Sequence, residues 1–170
     1  LKTGDTAGIF GFGPIGLLIV EALRSAGASK IYAVELSPER QAKAEELGAI
    51  VVRPEEGETI VEAIHRLTGG GADVSYEVTG VPVVLGQALA AVHKAGECMV
   101  VSIWEREANI NPNEFAIQEK SLKGIIAYRH IFPKVLELME QGYFPADKLV
   151  TKKIKLENIV EEGFVELTQD

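Results

Sequence analysis

Gly11-Phe12-Gly13-Pro14-Ile15-Gly16 is the stretch whose reading decides the fold. An apolar run from Ala7 to Phe12 leads into it, and a helix-spaced run of Leu17, Leu18, Val20 and Leu23 leads out. A strand, a tight glycine turn and a helix in that order build a phosphate site. Gly11 permits the sharp turn, Gly13 removes the side chain that would block a diphosphate, and Gly16 lets the helix start lie close on the strand. Amide N–H groups at the helix start, with the positive end of the helix dipole behind them, then hold the phosphates without a lysine.

Glycine turns of this pattern also serve flavin and S-adenosylmethionine sites, so the surroundings matter. The next apolar run, Lys30-Ile31-Tyr32-Ala33-Val34, reads as a second strand and ends in Glu35, nineteen residues past Gly16. At roughly 20 residues an acid reaches the adenosine ribose hydroxyls of NAD. A carboxylate there accepts hydrogen bonds from the 2′-OH and repels a 2′-phosphate, which favours NAD over NADP. Arg40 pulls the other way, because its cationic fork would either cover the adenosine end or tolerate a phosphate. The plain alternative for Glu35 is a surface acid at a strand end.

A chain of 170 residues, 46% hydrophobic and 25% charged, fits one globular domain able to bury a large core. The net charge of −8 speaks against nucleic acid and anionic membrane as partners, since both require clustered Lys and Arg. Cys98 is the one cysteine, which excludes an internal disulfide framework and fits a reducing, cytoplasmic compartment. It lies in an apolar strand and reads as a small buried hydrophobe. The longest apolar stretch, Ile9 to Val20, is broken by glycines and a proline and is too short for a bilayer, and no signal peptide precedes it. Leu1-Lys2-Thr3-Gly4-Asp5 opens directly on the first strand and the chain stops just after an amphipathic segment, so it is expected to be cut from something longer.

Strand runs near 6–12, 30–35, 49–53, 73–78, 97–103 and 122–128 alternate with helix patterns near 14–27, 38–47, 58–68, 82–94 and 131–141. Such alternation predicts an α/β fold, a doubly wound six-stranded parallel sheet of order 3-2-1-4-5-6 with helices on both faces. Ser37-Pro38-Glu39 supplies a cap, a first-turn proline and an acid for one helix start, and Gly27 and Gly48 act as stops. Gly69-Gly70-Gly71 reads as a connection rather than a second phosphate loop. Residues 104–121 form a long irregular connection, with Pro112 as a helix start, and connections of this length are usually functional or interfacial. Residues 149–167 read as a short strand followed by an amphipathic helix bearing Ile159, Val160, Phe164 and Leu167 on one side. This divides the chain into a domain of residues 1–148 and a tail of 149–170 that packs on sequence outside this chain. His65 reads as a surface residue beside Glu62 and Arg66, and His93 as a dipole-matched residue in a last helical turn. His130 and Trp104 sit at the ligand ends of strands and are candidates to touch cofactor or substrate, with packing at a dimer surface the alternative for Trp104.

Beyond the glycine turn, several further segments carry a resemblance: Ala44-Glu45-Glu46-Leu47-Gly48-Ala49, Leu67-Thr68-Gly69-Gly70-Gly71-Ala72-Asp73-Val74, Glu77-Val78-Thr79-Gly80 and Ile159 to Phe164. Over nearly its whole length the chain resembles the coenzyme-binding, Rossmann domain of the zinc-dependent medium-chain alcohol dehydrogenases. Ser102-Ile103-Trp104-Glu105, Lys120 to Gly124 and Ala127-Tyr128-Arg129 look most like the butanediol dehydrogenase branch, with sorbitol and threonine dehydrogenases near. The resemblance implies that Gly11, Gly13, Pro14, Ile15 and Gly16 take the diphosphate and that Glu35, Leu36 and Arg40 surround the adenosine. It also implies that Val78, Thr79, Gly80, Ser102, Ile103, Trp104, Ala127 and Arg129 flank the nicotinamide half. It implies hydride transfer between a secondary alcohol and NAD, with catalytic zinc held by a separate domain polarising the alcohol oxygen, and a homodimer or larger oligomer formed through residues 109–124. Cys98, His65, His93 and His130 offer no zinc-ligand spacing, so this chain is expected to hold no metal and to be inactive alone. An NAD-sensing regulatory module and a flavin domain stay open as other readings.

Overall fold

Residues 1–168 are described by the computed structural model. Strands β1 (Thr6–Phe10), β2 (Lys30–Val34), β3 (Ile50–Val51), β4 (Ala72–Glu77), β5 (Val92–Val100) and β6 (Ser121–Gly124) form one sheet in the order β3-β2-β1-β4-β5-β6, with every neighbouring pair parallel. This is the expected topology. Alternate strand residues point to opposite faces, and the sheet therefore feeds two cores. Ile9, Ile31 and Val74 join Val20 and Leu23 of α1 (Pro14–Ser25) and Ala44 of α2 (Pro38–Glu46). Phe10, Tyr32 and Cys98 join Ala63 and Ile64 of α3 (Ile60–Thr68) and Leu85, Ala88 and Leu89 of α4 (Pro82–Ala90).

Local chemistry sets the helix starts. Ser37 caps α2 through its hydroxyl, which accepts the Arg40 N–H at 3.4 Å, and Pro38 occupies the first turn. Thr59 and Glu62 form a reciprocal capping box at α3, and Gly69 ends that helix in the left-handed conformation.

Three expectations are corrected. The fourth crossover helix stops at Ala90 rather than residue 94, and β5 begins at Val92, so His93 stands in a strand with Nε2 3.2 Å from Asp73 Oδ1. The cause lies across the ladder: a Cβ on Gly71 would sit 2.4 Å from the His93 N, so only glycine lets the β4 entrance approach β5 this early. Strand β6 ends at Gly124, because its partner β5 ends at Val100, and Ala127 to His130 form an exposed segment in which Ala127 and His130 take left-handed conformations. Finally, among the described residues no strand follows Leu149. A strand exists through a partner's ladder, and the sheet offers residues 150–155 none. The tail instead folds as α7 (Ala146–Leu149), a 3₁₀ turn (Leu156–Asn158), a π-helical turn (Val160–Phe164) and α8 (Val165–Leu167). Leu149 packs on the first core, and buried Glu21 of α1 accepts the Phe144 N–H at 3.2 Å while pairing with Arg24 at 2.8 Å.

The long connection is not a free loop. Trp104, Ala108, Ile110 and Phe115 pack against the second core, and α5 (Asn113–Ala116) lies within it. Lys120 is buried there, donating to Leu89 O at 3.0 Å at the negative end of α4 and pairing with Glu114 at 2.8 Å. The remaining helix, α6 (Phe132–Glu140), exposes Phe132, Leu136 and Met139. Among the described residues no helix is long and apolar enough to cross a membrane.

Candidate functional site

The three glycines of the first turn have three separate reasons. Gly11 holds φ at +102°, and a Cβ there would meet Thr79 Cγ2 at 2.7 Å. A Cβ on Gly16 would lie 2.1 Å from the Gly11 carbonyl oxygen, which is the close approach of helix start to strand end. Gly13 faces open space, with nothing within 4 Å of the position its Cβ would take. Gly13 is also the N-cap of α1, and neither a capping side chain nor a first-turn acid is present. The N–H groups of Ile15 and Gly16 have no acceptor inside the helix, and the positive end of its dipole is not cancelled.

This uncapped helix start opens onto a cleft of about 630 Å³ at the carboxyl ends of β1, β2 and β4, where the strand order reverses. Gly11, Phe12 and Gly13 form one wall, Glu35, Leu36 and Arg40 the next, and Val78, Thr79, Val81 and Val84 the third. Glu35 is half-buried and turned toward the glycine turn. Its Oε2 accepts the Phe12 N–H at 2.8 Å, and its Oε1 accepts the N–H groups of Leu36 at 2.7 Å and Ser37 at 2.9 Å. Partial burial opposes the charge, but the backbone donors of Ser37, Phe12 and Leu36, aided by the nearby Arg40, outweigh it and hold the carboxyl below its ordinary range.

A second cleft of about 410 Å³ adjoins the first, sharing Thr79 and Val81 with it and adding Gly80, Ile103, Glu105 and Arg106. Its frame is a fully buried carboxylate. Glu77 Oε1 accepts from Thr79 N at 2.7 Å, Thr79 Oγ1 at 2.6 Å and Gly80 N at 3.0 Å, while Oε2 accepts from the Ser102 hydroxyl.

Of the residues singled out from sequence, Gly11, Gly13, Glu35, Leu36, Arg40, Val78 and Thr79 line the first cleft, and Thr79, Gly80 and Ile103 the second. Pro14, Ile15 and Gly16 stand behind the first as the opening turn of α1, and Ser102 reaches the second through Glu77. Trp104 is turned into the second core with its indole N–H buried and without a partner. Ala127, Arg129 and His130 lie on the exposed segment after β6 and line neither cleft. His65, expected on the surface, is half-buried, with Nε2 3.0 Å from Ala90 O. Sequence reasoning missed Ile60, Val81, Val83 and Val84, which form an apolar side of the first cleft, and the polar Gln87 beside them. Nothing in the sequence marks them: Val81 and Val83 read as core residues at a helix start, and only the fold leaves them exposed.

A family model described as zinc-binding dehydrogenase matches residues 14–141. The chain belongs to that family. It is similar to the (R,R)-butanediol dehydrogenase of Bacillus subtilis, with 61% identity over 170 residues, all of this chain and 49% of that protein. It is 37% identical over 169 residues to the (R,R)-butanediol dehydrogenase of Neisseria gonorrhoeae, covering 98% of this chain and 47% of that one. The fold matches the crystal structure of 2R,3R-butanediol dehydrogenase from Bacillus subtilis with a TM-score of 0.96 at 61% identity, over the whole of this chain and 49% of that one. The chain thus spans about half the length of the curated relatives it matches.

Zinc does not fit the described residues of this half. Among the described residues no group of three or more His, Cys, Asp or Glu side chains is placed to hold a metal ion. Cys98 is sealed in the sheet, where burial pushes its thiol up to about 11, away from the thiolate a metal requires.

Proposed function

We propose that this chain binds NAD and is the cofactor-holding half of a dehydrogenase for a secondary alcohol of the butanediol and acetoin type. One observation carries the reading: an uncapped twelve-residue helix start, opened by Gly13, faces a cleft whose other wall is the carboxylate of Glu35. The chemistry of that donor set fits a dinucleotide. The N–H groups of Ile15 and Gly16 suit a diphosphate, and Glu35 suits ribose hydroxyls while repelling a 2′-phosphate. Leu36 and Arg40 border the adenosine end, and Thr79, Gly80, Ser102 and Ile103 belong to the nicotinamide end. When bound, NAD supplies the hydride acceptor. The residues of this chain bind and orient it, and the apolar faces of Val81 and Val84 exclude water from one side of the cleft.

No step of metal chemistry is assigned to this chain. In this reading residues 1–148 are the cofactor domain and 149–170 rest on the catalytic part of the whole protein, residues 109–124 take part in a homodimer, and the protein works in the cytoplasm. The apolar tail residues Val160, Phe164 and Leu167, all exposed, support the tail assignment.

Calorimetric titration of the chain with NADH, NADPH and FAD tests the cofactor. NADH binding tighter than NADPH, with no FAD binding, is expected; no heat with NADH, or a yellow FAD complex, refutes the assignment. Turnover of (R,R)-butanediol, sorbitol and threonine by the whole natural protein tests the substrate, and preference for either of the latter two overturns it.

A further inference from the structure

Glu77 has no part in the reading above, yet it is the most heavily engaged buried acid in the molecule's ligand-side rim. It is fully buried at the carboxyl end of β4, and four donors from two separate loops converge on its two oxygens. Three come from the β4 exit, Thr79 N, Thr79 Oγ1 and Gly80 N; the fourth, the Ser102 hydroxyl, comes from the β5 exit. A carboxylate, which only accepts, takes all four with its two oxygens. The two loops it joins both line the second cleft, Thr79 and Gly80 from one and Ile103 from the other. Gly80 fits this junction because its φ is +71° and a Cβ would press on Ile103 O at 3.0 Å.

The geometry points to Glu77 as a positioning residue for the nicotinamide half of the cofactor: it sets the spacing of the β4 and β5 exits without touching the ligand. This rests on the NAD reading above. It separates the two ends of the site by their hydrogen bonds: Glu35 is held by Phe12, Leu36 and Ser37 and Glu77 by Thr79, Gly80 and Ser102, with Gly11 passing close to Thr79 between them.

Titration of the chain with NADH and with ADP-ribose, which lacks the nicotinamide, distinguishes the roles. Glu77→Ala is expected to weaken NADH by about tenfold, the worth of one or two lost hydrogen bonds, while ADP-ribose stays within about twofold. Glu77→Gln keeps its carbonyl toward Thr79 and Gly80 and turns its amide to the Ser102 hydroxyl, which can accept, so NADH binding should recover to within about threefold. Equal losses for the two ligands in Glu77→Ala, or no loss for NADH, overturn the positioning role and leave the NAD reading standing. Wild-type chain that binds neither ligand overturns both. Should circular dichroism show Glu77→Ala unfolded, Ser102→Ala, which releases one wall alone, must show the selective NADH loss; unchanged NADH binding there overturns the role.

Discussion

Gly13 and Gly16 are three residues apart in the same turn, and the structure predicts opposite outcomes for the same added methyl group. At Gly13 the backbone has φ −66° and ψ −174°, ordinary for alanine, and a Cβ meets nothing within 4 Å. Alanine is a poorer N-cap than glycine by several tenths of a kcal/mol, and restricting the unfolded chain returns about 0.4–1 kcal/mol, so stability should hold within about 0.5 kcal/mol. The methyl nevertheless occupies the space that the proposed diphosphate takes. At about 2 kcal/mol of overpacking, NADH affinity falls by about thirtyfold. At Gly16 the Cβ would lie 2.1 Å from the Gly11 carbonyl oxygen, and strand and helix must part by roughly 1 Å or more to restore van der Waals contact. A cost of about 3 kcal/mol, offset by about 1 kcal/mol of helix propensity, leaves a net loss of about 2 kcal/mol and a Tm lower by about 4–8 °C. Thermal melts followed by circular dichroism, paired with NADH titrations, read both effects. Wild-type NADH affinity in Gly13→Ala would refute the placement of the phosphates over that residue, and a wild-type melt in Gly16→Ala would refute the helix–strand contact as a constraint on the fold.

Three further outcomes follow from the same geometry. Glu35→Ala should raise the ratio of NADP to NAD affinity by about tenfold, since it removes one charge repulsion in a partly solvated site; an unchanged ratio in parallel titrations means that charge exclusion does not set the preference. Glu58 accepts both Nε and Nη2 of Arg66 at 2.8 Å, and this pairing, with the Glu55 N–H, lowers its carboxyl from 4.5 to about 2. A carboxyl held below its unfolded value stabilises fully above about pH 4.5 and loses that contribution as pH falls toward 2, so urea midpoints of Glu58→Gln should lose part of that pH dependence, chiefly at low salt. Cys98 should resist a thiol reagent at pH 8 in the folded chain and react at once in denaturant, because burial pushes it up to about 11; rapid labelling of the native chain would show that the sheet opens there.

The sheet order was legible because the glycine turn and Glu35 fix β1, α1 and β2, and regular alternation of strand and helix patterns leaves few ways to wind the rest. What escaped depends on contacts between distant residues. Ala90-Ala91-Val92 continues an apolar helical pattern, and only the close passage of Gly71 beside His93 ends the helix there. Ile125 and Ile126 read as strand, yet pairing stops with β5 at Val100. That Glu35 comes to the first cleft beside the glycine turn was readable from its spacing. The valines at the start of α4 were not, since apolar residues at a helix start look the same whether they face a core or a cleft. The role of Glu77 was also hidden: a run of Glu-Val-Thr-Gly gives no hint that Ser102 arrives from another strand.

The strand order has a consequence for the growing chain. Translation delivers β1, β2 and β3 first, and these three already neighbour one another, so half of the sheet can assemble on the ribosome. The far side of β1 then waits with its backbone groups bare until Ala72–Glu77 emerge. During that interval the nascent protein carries a sticky flank that a chaperone, or another half-made copy, can occupy.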